Sequence, residues 1–359
     1  MHHIALLGCG GFIGSHCLDD FLADPGTSVE GWDWTHAKIA SHLSNPRFRF
    51  HSGDLYSNPE LEDMLGECDA VISLAAICNP SQYNTKGVDV IESNFIQARR
   101  IADICARAGK WLIQFSTSEV YGQTLAHWTG SGDARPELYE MDEESTPLLL
   151  GPVSSLRWSY ACAKQLLERY ILALHEERGL AYTIIRPFNF LGPRMDFLPG
   201  REGDGLPRVL ACFTGALLDG RPLPLVDGGS ARRTFLAVEE AVAAIGLMLK
   251  KPAAARNQIF NLGNPANETT IRGLAESMRA AAAEITGDAR FLAIPLVDVS
   301  AEEFYGSGYA DSDRRMPRVD KALRLLGWKA GTPLPDILRR TLEYSFRRHG
   351  FGPGTGRPI

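Results

Sequence analysis

The stretch Ile4-Ala5-Leu6-Leu7-Gly8-Cys9-Gly10-Gly11-Phe12-Ile13-Gly14 decides how the rest of the chain is read. A short apolar run ends abruptly in glycines, and from Ile13 to Leu22 the apolar residues recur with helical spacing. Glycines here permit a tight turn, let the backbone approach a pyrophosphate and allow a helix to pack closely on the strand. The helix N-terminus offers free N–H groups to the anion. The spacing is G-x-x-G-x-x-G through Gly8, Gly11 and Gly14 rather than the strict G-x-G-x-x-G, and such turns are common by themselves.

Outward from that turn, strand and helix signals alternate. Residues 29–34, 47–50, 70–75, 111–115 and 182–186 read as short strands, and 88–108 and 160–176 are long helical stretches closed by Gly109 and Gly179. Apolar strands separated by helices imply a parallel sheet covered on both faces. The expectation is an α/β fold: a Rossmann-type doubly wound parallel sheet over residues 1–186, then a smaller C-terminal substrate-binding lobe over 187–348. Residues 236–264, which include a helix (238–249) and a strand (259–262), are expected to return to the sheet, and 349–359 to form a flexible tail. Residues 192–207 are a long Gly/Pro-rich loop, the kind that is usually functional.

Composition narrows the class. The 359 residues are 45% apolar and 22% charged with a formal charge of −6, which argues against nucleic acid or an anionic membrane as partner. No apolar run approaches the ~20 residues of a membrane helix. Seven cysteines without a C-x-x-C pair read as reduced thiols, neither a disulfide framework nor a metal site, and point to a cytoplasmic protein.

Asp33 strengthens the dinucleotide reading. It ends the second strand, where an acid accepts from the adenosine ribose hydroxyls and repels a 2′-phosphate, favouring NAD over NADP. Asp54, after the third strand, is open to two readings: a residue facing the adenine or an ordinary turn Asp. Further along, Tyr160 and Lys164 stand at i and i+4 on one helix face, where an ammonium beside a phenol favours phenolate. Ser116-Thr117-Ser118-Glu119-Val120-Tyr121-Gly122 ends the preceding strand, at the edge where doubly wound sheets bind ligands. Thr117 would hydrogen-bond a substrate hydroxyl while Tyr160 removes its proton.

These motifs, with Arg186-Pro187-Phe188-Asn189, resemble the extended short-chain dehydrogenase/reductases that act on nucleotide sugars. Ala75-Ala76-Ile77-Cys78, the run Arg157 to Gln165, Gly192-Pro193-Arg194-Met195-Asp196-Phe197, Pro207-Arg208-Val209, Val226-Asp227-Gly228-Gly229, Phe304-Tyr305-Gly306 and Gly308-Tyr309 are similar to the UDP-glucuronate decarboxylase branch. That branch includes the decarboxylase domain of the polymyxin-resistance enzyme and the UDP-apiose/UDP-xylose synthases. The resemblance implies Thr117, Ser118, Glu119, Tyr160, Lys164 and Arg315 as catalytic, with Glu119 and Arg315 handling the sugar carboxylate and the C5 proton. It implies an NAD site at Gly8, Gly11, Phe12, Ile13, Gly14 and Asp33, continued by Asp54, Leu55 and Ala75 and by Tyr160 and Lys164. Tyr83, Arg157, Asn189, Arg208, Arg233 and Tyr309 match positions that bind the UDP-sugar. Pro224 departs from relatives that carry Lys there.

The resemblance implies NAD-dependent oxidation at C4 of UDP-glucuronate and loss of CO₂, giving UDP-4-keto-pentose, UDP-xylose or both. A UDP-apiose synthase, a 4-epimerase or 4,6-dehydratase, and a non-catalytic NAD-sensing scaffold are the competing readings. Residue 118 discriminates: dehydratases of this type carry Asp before the Glu, and apiose-forming relatives carry Cys there and at the position of Cys78. This chain has Ser118 and Cys78, which favours decarboxylation without ring contraction. Helices 88–108 and 160–176 match those that form an intersubunit bundle in the resembling enzymes, so a homodimer is expected.

Overall fold

The computed structural model describes residues 2–79, 82–130, 135–203, 206–305 and 311–351. Its centre is a seven-stranded sheet: β1 (His2–Leu7), β2 (Thr27–Asp33), β3 (Phe48–Ser52), β4 (Ala70–Ser73), β5 (Trp111–Phe115), β6 (Tyr182–Pro187) and β7 (Gln258–Leu262). The order is β7-β6-β5-β4-β1-β2-β3 and every neighbouring pair is parallel. From β1 the chain builds outward to β2 and β3, then crosses back to β4 on the other side. The carboxyl ends of β1 and β4 therefore flank the switch point at which such sheets bind ligands.

Strand alternation explains the two covered faces. Ile4 and Leu6 join the core of α1 (Phe12–Ala23), with Cys17, Leu18 and Phe21, whereas Ala5 and Leu7 join Leu61, Leu65 and Ile101 on the opposite face. The neighbouring strands divide in the same way: Ile72, Ile113 and Ile185 go to the first face, Val71, Leu112 and Ile184 to the second. Helices α2 (Ala98–Ala108) and α3 (Ser159–Arg178) pack together on that second face, and α4 (Val238–Lys250) lies against α1 on the first.

A four-stranded sheet forms the smaller layer, in the order Glu268–Thr270, Arg232–Thr234, Arg314–Pro317, Glu140–Met141. The two sheets exchange segments. Glu140–Met141 lies within residues 1–186 yet pairs with Met316 and Pro317, while β7 follows part of the lobe and forms an edge of the central sheet. The helices Ile271–Thr286 and Leu334–Arg348 pack on each other beside this layer.

The stretch 88–108 is not one uniform α-helix. An α-helical turn at Gly87–Ile91 passes through a π-helical segment, Glu92–Gln97, into α2. Asn94 sits buried in that segment, its amide donating to the carbonyls of Val90 and Ile77, both at 2.9 Å. Apolar periodicity cannot reveal such a register change, because the π-turn keeps the residues helical and only shifts the face they occupy.

Candidate active site

β1 delivers the chain into the glycine loop with Gly8 at φ +93°, a conformation that L side chains rarely adopt. A Cβ on Gly14 would stand 2.1 Å from the Gly8 carbonyl oxygen, and one on Gly10 1.9 Å from that of Thr35. Backbone already fills both places. Gly11 is the N-cap of α1 and no side chain caps the helix, so the N–H groups of its first turn are left for a ligand or solvent. The Asp33 carboxylate accepts from the Gly10 N–H at 2.9 Å and the Thr35 N–H at 3.1 Å, which fixes it beside the loop. Asp54 accepts from the Tyr56 N–H at 3.2 Å, the bond a turn Asp makes, and Leu55 is buried in the second core.

At the end of β5, Thr117 caps a short 3-10 turn, Ser118–Tyr121, accepting from the Glu119 N–H at 3.1 Å. α3 brings Tyr160 to the same place, where its ring stacks on Tyr83 at 4.9 Å. Burial pushes the Tyr160 phenol well above its ordinary pKa and the neighbouring Cys78 and Glu119 add to this, while the Thr117 hydroxyl and Arg208 favour the phenolate. Burial also pulls Lys164 down to about 8, and its ammonium donates to the Phe115 carbonyl at 3.2 Å. The expected lowering of Tyr160 by Lys164 is therefore corrected for the protein by itself. Desolvation of the buried phenol is the largest influence on it.

α3 is anchored beneath these groups. Glu168, one turn beyond Lys164, receives Arg186 Nη2 at 2.6 Å and Nε at 3.1 Å and the Ser116 hydroxyl at 2.5 Å. Arg186 also donates to the Tyr121 hydroxyl at 2.8 Å. This buried pair ties α3 to β5 and β6. Removing one partner of such a pair costs about 3–5 kcal/mol.

Arginines crowd the other side. Arg157 Nη1 donates to Glu119 at 2.6 Å, and Arg315 Nη1 stands 3.5 Å from the same carboxylate. Burial alone would raise the Glu119 pKa, but Arg157 and Arg315 hold it below the usual carboxylate range. Asp311 receives Arg315 Nη2 at 2.6 Å and Arg233 Nη2 at 2.8 Å, with Arg157 Nη2 at 3.7 Å. Arg208 forms a fork on Asp196, at 2.6 and 2.8 Å, with its guanidinium 5.8 Å from the Phe12 ring. Asn189, at φ +43°, donates to the Thr234 carbonyl at 2.9 Å.

Residues 4–263 match the NAD dependent epimerase/dehydratase family. The chain belongs to that family. It is 45% identical over 358 residues to a UDP-D-apiose/UDP-D-xylose synthase of Oryza sativa subsp. japonica, covering 96% of this chain and 89% of that protein. It is 44% identical to UDP-D-apiose/UDP-D-xylose synthase 1 of Arabidopsis thaliana, covering 99% and 95%. Among solved structures, the PbgP3 protein from Burkholderia pseudomallei superposes with a TM-score of 0.82 at 31% identity, over 97% of each chain. UDP-glucuronic acid 4-epimerase from Bacillus cereus, at 20% identity and a TM-score of 0.77 over 96% of this chain and 99% of that one, shares the fold.

This epimerase/dehydratase family member is an NAD-dependent enzyme. The uncapped α1 N-terminus and the glycines that no Cβ could replace fit the pyrophosphate, and Asp33 fits the ribose. Thr117, Ser118, Glu119, Tyr160, Lys164 and Arg315 line one cavity of about 520 Å³, together with Ile13, Tyr83, Arg157, Asn189, Arg208 and Arg233. Gly8, Gly11, Phe12, Gly14, Asp33, Asp54, Leu55 and Ala75 lie outside its lining, around the carboxyl ends of β1 to β4. Tyr309 lies outside the described residues. Sequence reasoning missed Asp311, Asp196 and Glu168. Only Glu168 carried a local signal, its i,i+4 spacing from Lys164.

Proposed function

We propose that this enzyme oxidises and decarboxylates UDP-glucuronate, giving UDP-4-keto-pentose and UDP-xylose. The observation that carries the reading is one cavity holding Tyr160, Thr117 and Lys164 beside the Glu119–Arg157–Arg315 cluster. It joins the groups that oxidise a carbinol to cations suited to an acidic sugar. The names of the rice and Arabidopsis relatives support the same reading.

NAD, when bound, supplies the hydride acceptor and the positive charge of its oxidised ring. Tyr160 takes the proton of the C4 hydroxyl, with Thr117 holding that oxygen and Lys164 favouring the phenolate. The resulting C4 ketone makes the sugar a β-keto acid, so the bond to the carboxyl group breaks with its electrons delocalised into the ketone. CO₂ leaves and an enolate remains. Arg315, held between Glu119 and Asp311, supplies fixed positive charge for the carboxylate and then the enolate. Protonation at C5 gives UDP-4-keto-pentose, and return of hydride to C4, with Tyr160 giving back its proton, gives UDP-xylose.

Apiose formation is the second reading, favoured by the relatives' names. Ser118 weighs against it, because apiose-forming relatives carry Cys there, and weighs also against dehydration, because a Ser hydroxyl cannot act as a leaving-group acid near pH 7. Incubation with UDP-glucuronate and NAD, followed by CO₂ release and NMR, should give UDP-4-keto-pentose and UDP-xylose. Tyr160→Phe should give neither. Apiose signals as a main product overturn the product assignment, and turnover of UDP-glucose to a 6-deoxy-4-keto sugar overturns the reaction.

The proposal includes a homodimer packed through helices 87–108 and 159–178, which leave Val88, Ile91, Leu166 and Leu172 exposed. Light scattering should then give twice the chain mass of 39.4 kDa; a single-chain mass at micromolar concentration counts against it.

A further inference from the structure

Three guanidinium groups, those of Arg157, Arg233 and Arg315, converge in the cavity on the single carboxylate of Asp311. The arginine side chains are 2%, 8% and 6% exposed, whereas Asp311 is 30% exposed and is the member of the cluster most open to the cavity. Burial works against its charge, but Arg233, Arg315 and Arg157 hold it ionised far below the usual carboxylate range.

The donors of Arg315 are unevenly used. Its Nη2 donates to Asp311 Oδ1 at 2.6 Å and its Nη1 lies 3.5 Å from Glu119, while the buried Nε has no partner among the described residues. Nε and Nη2 form the side edge of a guanidinium, a fork matched to the two oxygens of one carboxylate. Nε is open and Asp311 already holds Nη2. A carboxylate that grips Arg315 through both donors must share Nη2 with the Asp311 carboxylate, whose like charge opposes it.

We propose that Asp311 is a resident competitor for the arginine cluster, a specificity-determining carboxylate that the substrate's sugar carboxylate replaces on Arg315. This rests on the reading of the substrate as an acidic UDP-sugar. Asp311 helps compensate three buried cations, and an uncharged sugar that pushed it aside would remove a carboxylate that Arg315 and Arg233 both hold. Only a ligand bringing its own carboxylate restores the balance. The competition lowers affinity for the acidic sugar and raises discrimination against the neutral one.

Calorimetry on the full chain loaded with NAD tests this, with UDP-glucuronate, UDP-glucose and UDP as probes. Asp311→Asn removes the competing charge in an isosteric side chain, and Asp311→Ala repeats the test without a new amide. Both variants should bind UDP-glucuronate at least tenfold more tightly than wild type, with UDP changed less than threefold. Unchanged NAD affinity reports an intact fold. A merely structural Asp311 would weaken every ligand together. If wild type prefers UDP-glucuronate to UDP-glucose but neither variant tightens it, the inference fails and the substrate reading stands. If UDP tightens as much as UDP-glucuronate, Asp311 competes with the diphosphate and the assignment to the sugar carboxylate is wrong. If wild type shows no preference for UDP-glucuronate, the substrate reading fails and takes the inference with it.

Discussion

Around the glycine loop, the ligand-binding surface is made of backbone. Gly8 at φ +93°, the bare N-terminus of α1 and the Gly14 contact come from one short run, residues 8–14, and the Asp33 carboxylate and the Thr35 carbonyl reach in beside Gly10. Around Asp311 it is made of side chains from separated segments: Glu119 after β5, Arg157 before α3, and Arg233 and Arg315 on paired strands of the small sheet. Backbone sites need little supporting packing and tolerate no Cβ. Side-chain sites can carry more charge, but each charge must be compensated by its neighbours. The first region fits the NAD of the family; the second carries the charges on which the proposed discrimination between sugars rests.

If that division holds, Arg315→Ala should damage chemistry and leave the cofactor alone. Its removal takes away charge that matters once the carboxylated sugar is bound, an effect on the order of 10²–10³ in rate for a lost oxyanion-type donor. CO₂ release from UDP-glucuronate should fall by that factor while the NAD dissociation constant stays within twofold of wild type. CO₂ release at the wild-type rate would remove Arg315 from the reaction.

The same division explains what could be read without coordinates. A glycine loop is a local event, so its spacing, the strand before it and the helix after it sit together in the chain; β5 and the end of β1 stand where the apolar runs put them. Tyr160 and Lys164 are legible for the same reason, being one helical turn apart. The arginine cluster has no such signature. Arg157, Arg233 and Arg315 are far apart in sequence, and only the resemblance to a family picked them out. Asp311 was invisible because its role comes from three guanidinium groups that the fold brings to it. The π-helical segment at Glu92–Gln97 escaped for another reason: it alters hydrogen-bond register without altering apolar content.

Gly14→Ala probes the backbone-built region. The added Cβ would meet the Gly8 carbonyl oxygen at 2.1 Å and the Cys9 Cα at 2.8 Å. Neither atom belongs to a flexible side chain, so the loop itself must move, and close helix–strand packing is lost with it. NAD affinity should drop by at least about tenfold, roughly 1.4 kcal/mol. UDP, proposed to bind on the substrate side of the cavity, should bind within threefold of wild type. Equal loss of both ligands would mean that the two regions are mechanically one.

The smallest expected effect concerns Asp33, the one side chain in the backbone-built region. Its two oxygens accept from the Gly10 and Thr35 N–H groups, so the carboxylate is pinned beside the loop and cannot swing away from an incoming phosphate. A 2′-phosphate carries about −1.5 to −2 charge near neutral pH, and Trp34, Thr35 and His36 supply no fixed cation to receive it. Lys38, the nearest lysine, is half-buried; burial lowers its pKa, and its strongest charged neighbour is Asp196 on the substrate side. Wild type should therefore prefer NAD to NADP by tenfold or more. Asp33→Asn keeps one accepting oxygen and turns an NH₂ toward the other N–H, so NAD should weaken slightly while NADP tightens as the repulsion goes. The ratio of the two dissociation constants should fall by about tenfold, or 1.4 kcal/mol, measured by titration of both cofactors against each protein. An unchanged ratio would mean that the bonds to Gly10 and Thr35, rather than the charge of Asp33, are what this residue contributes.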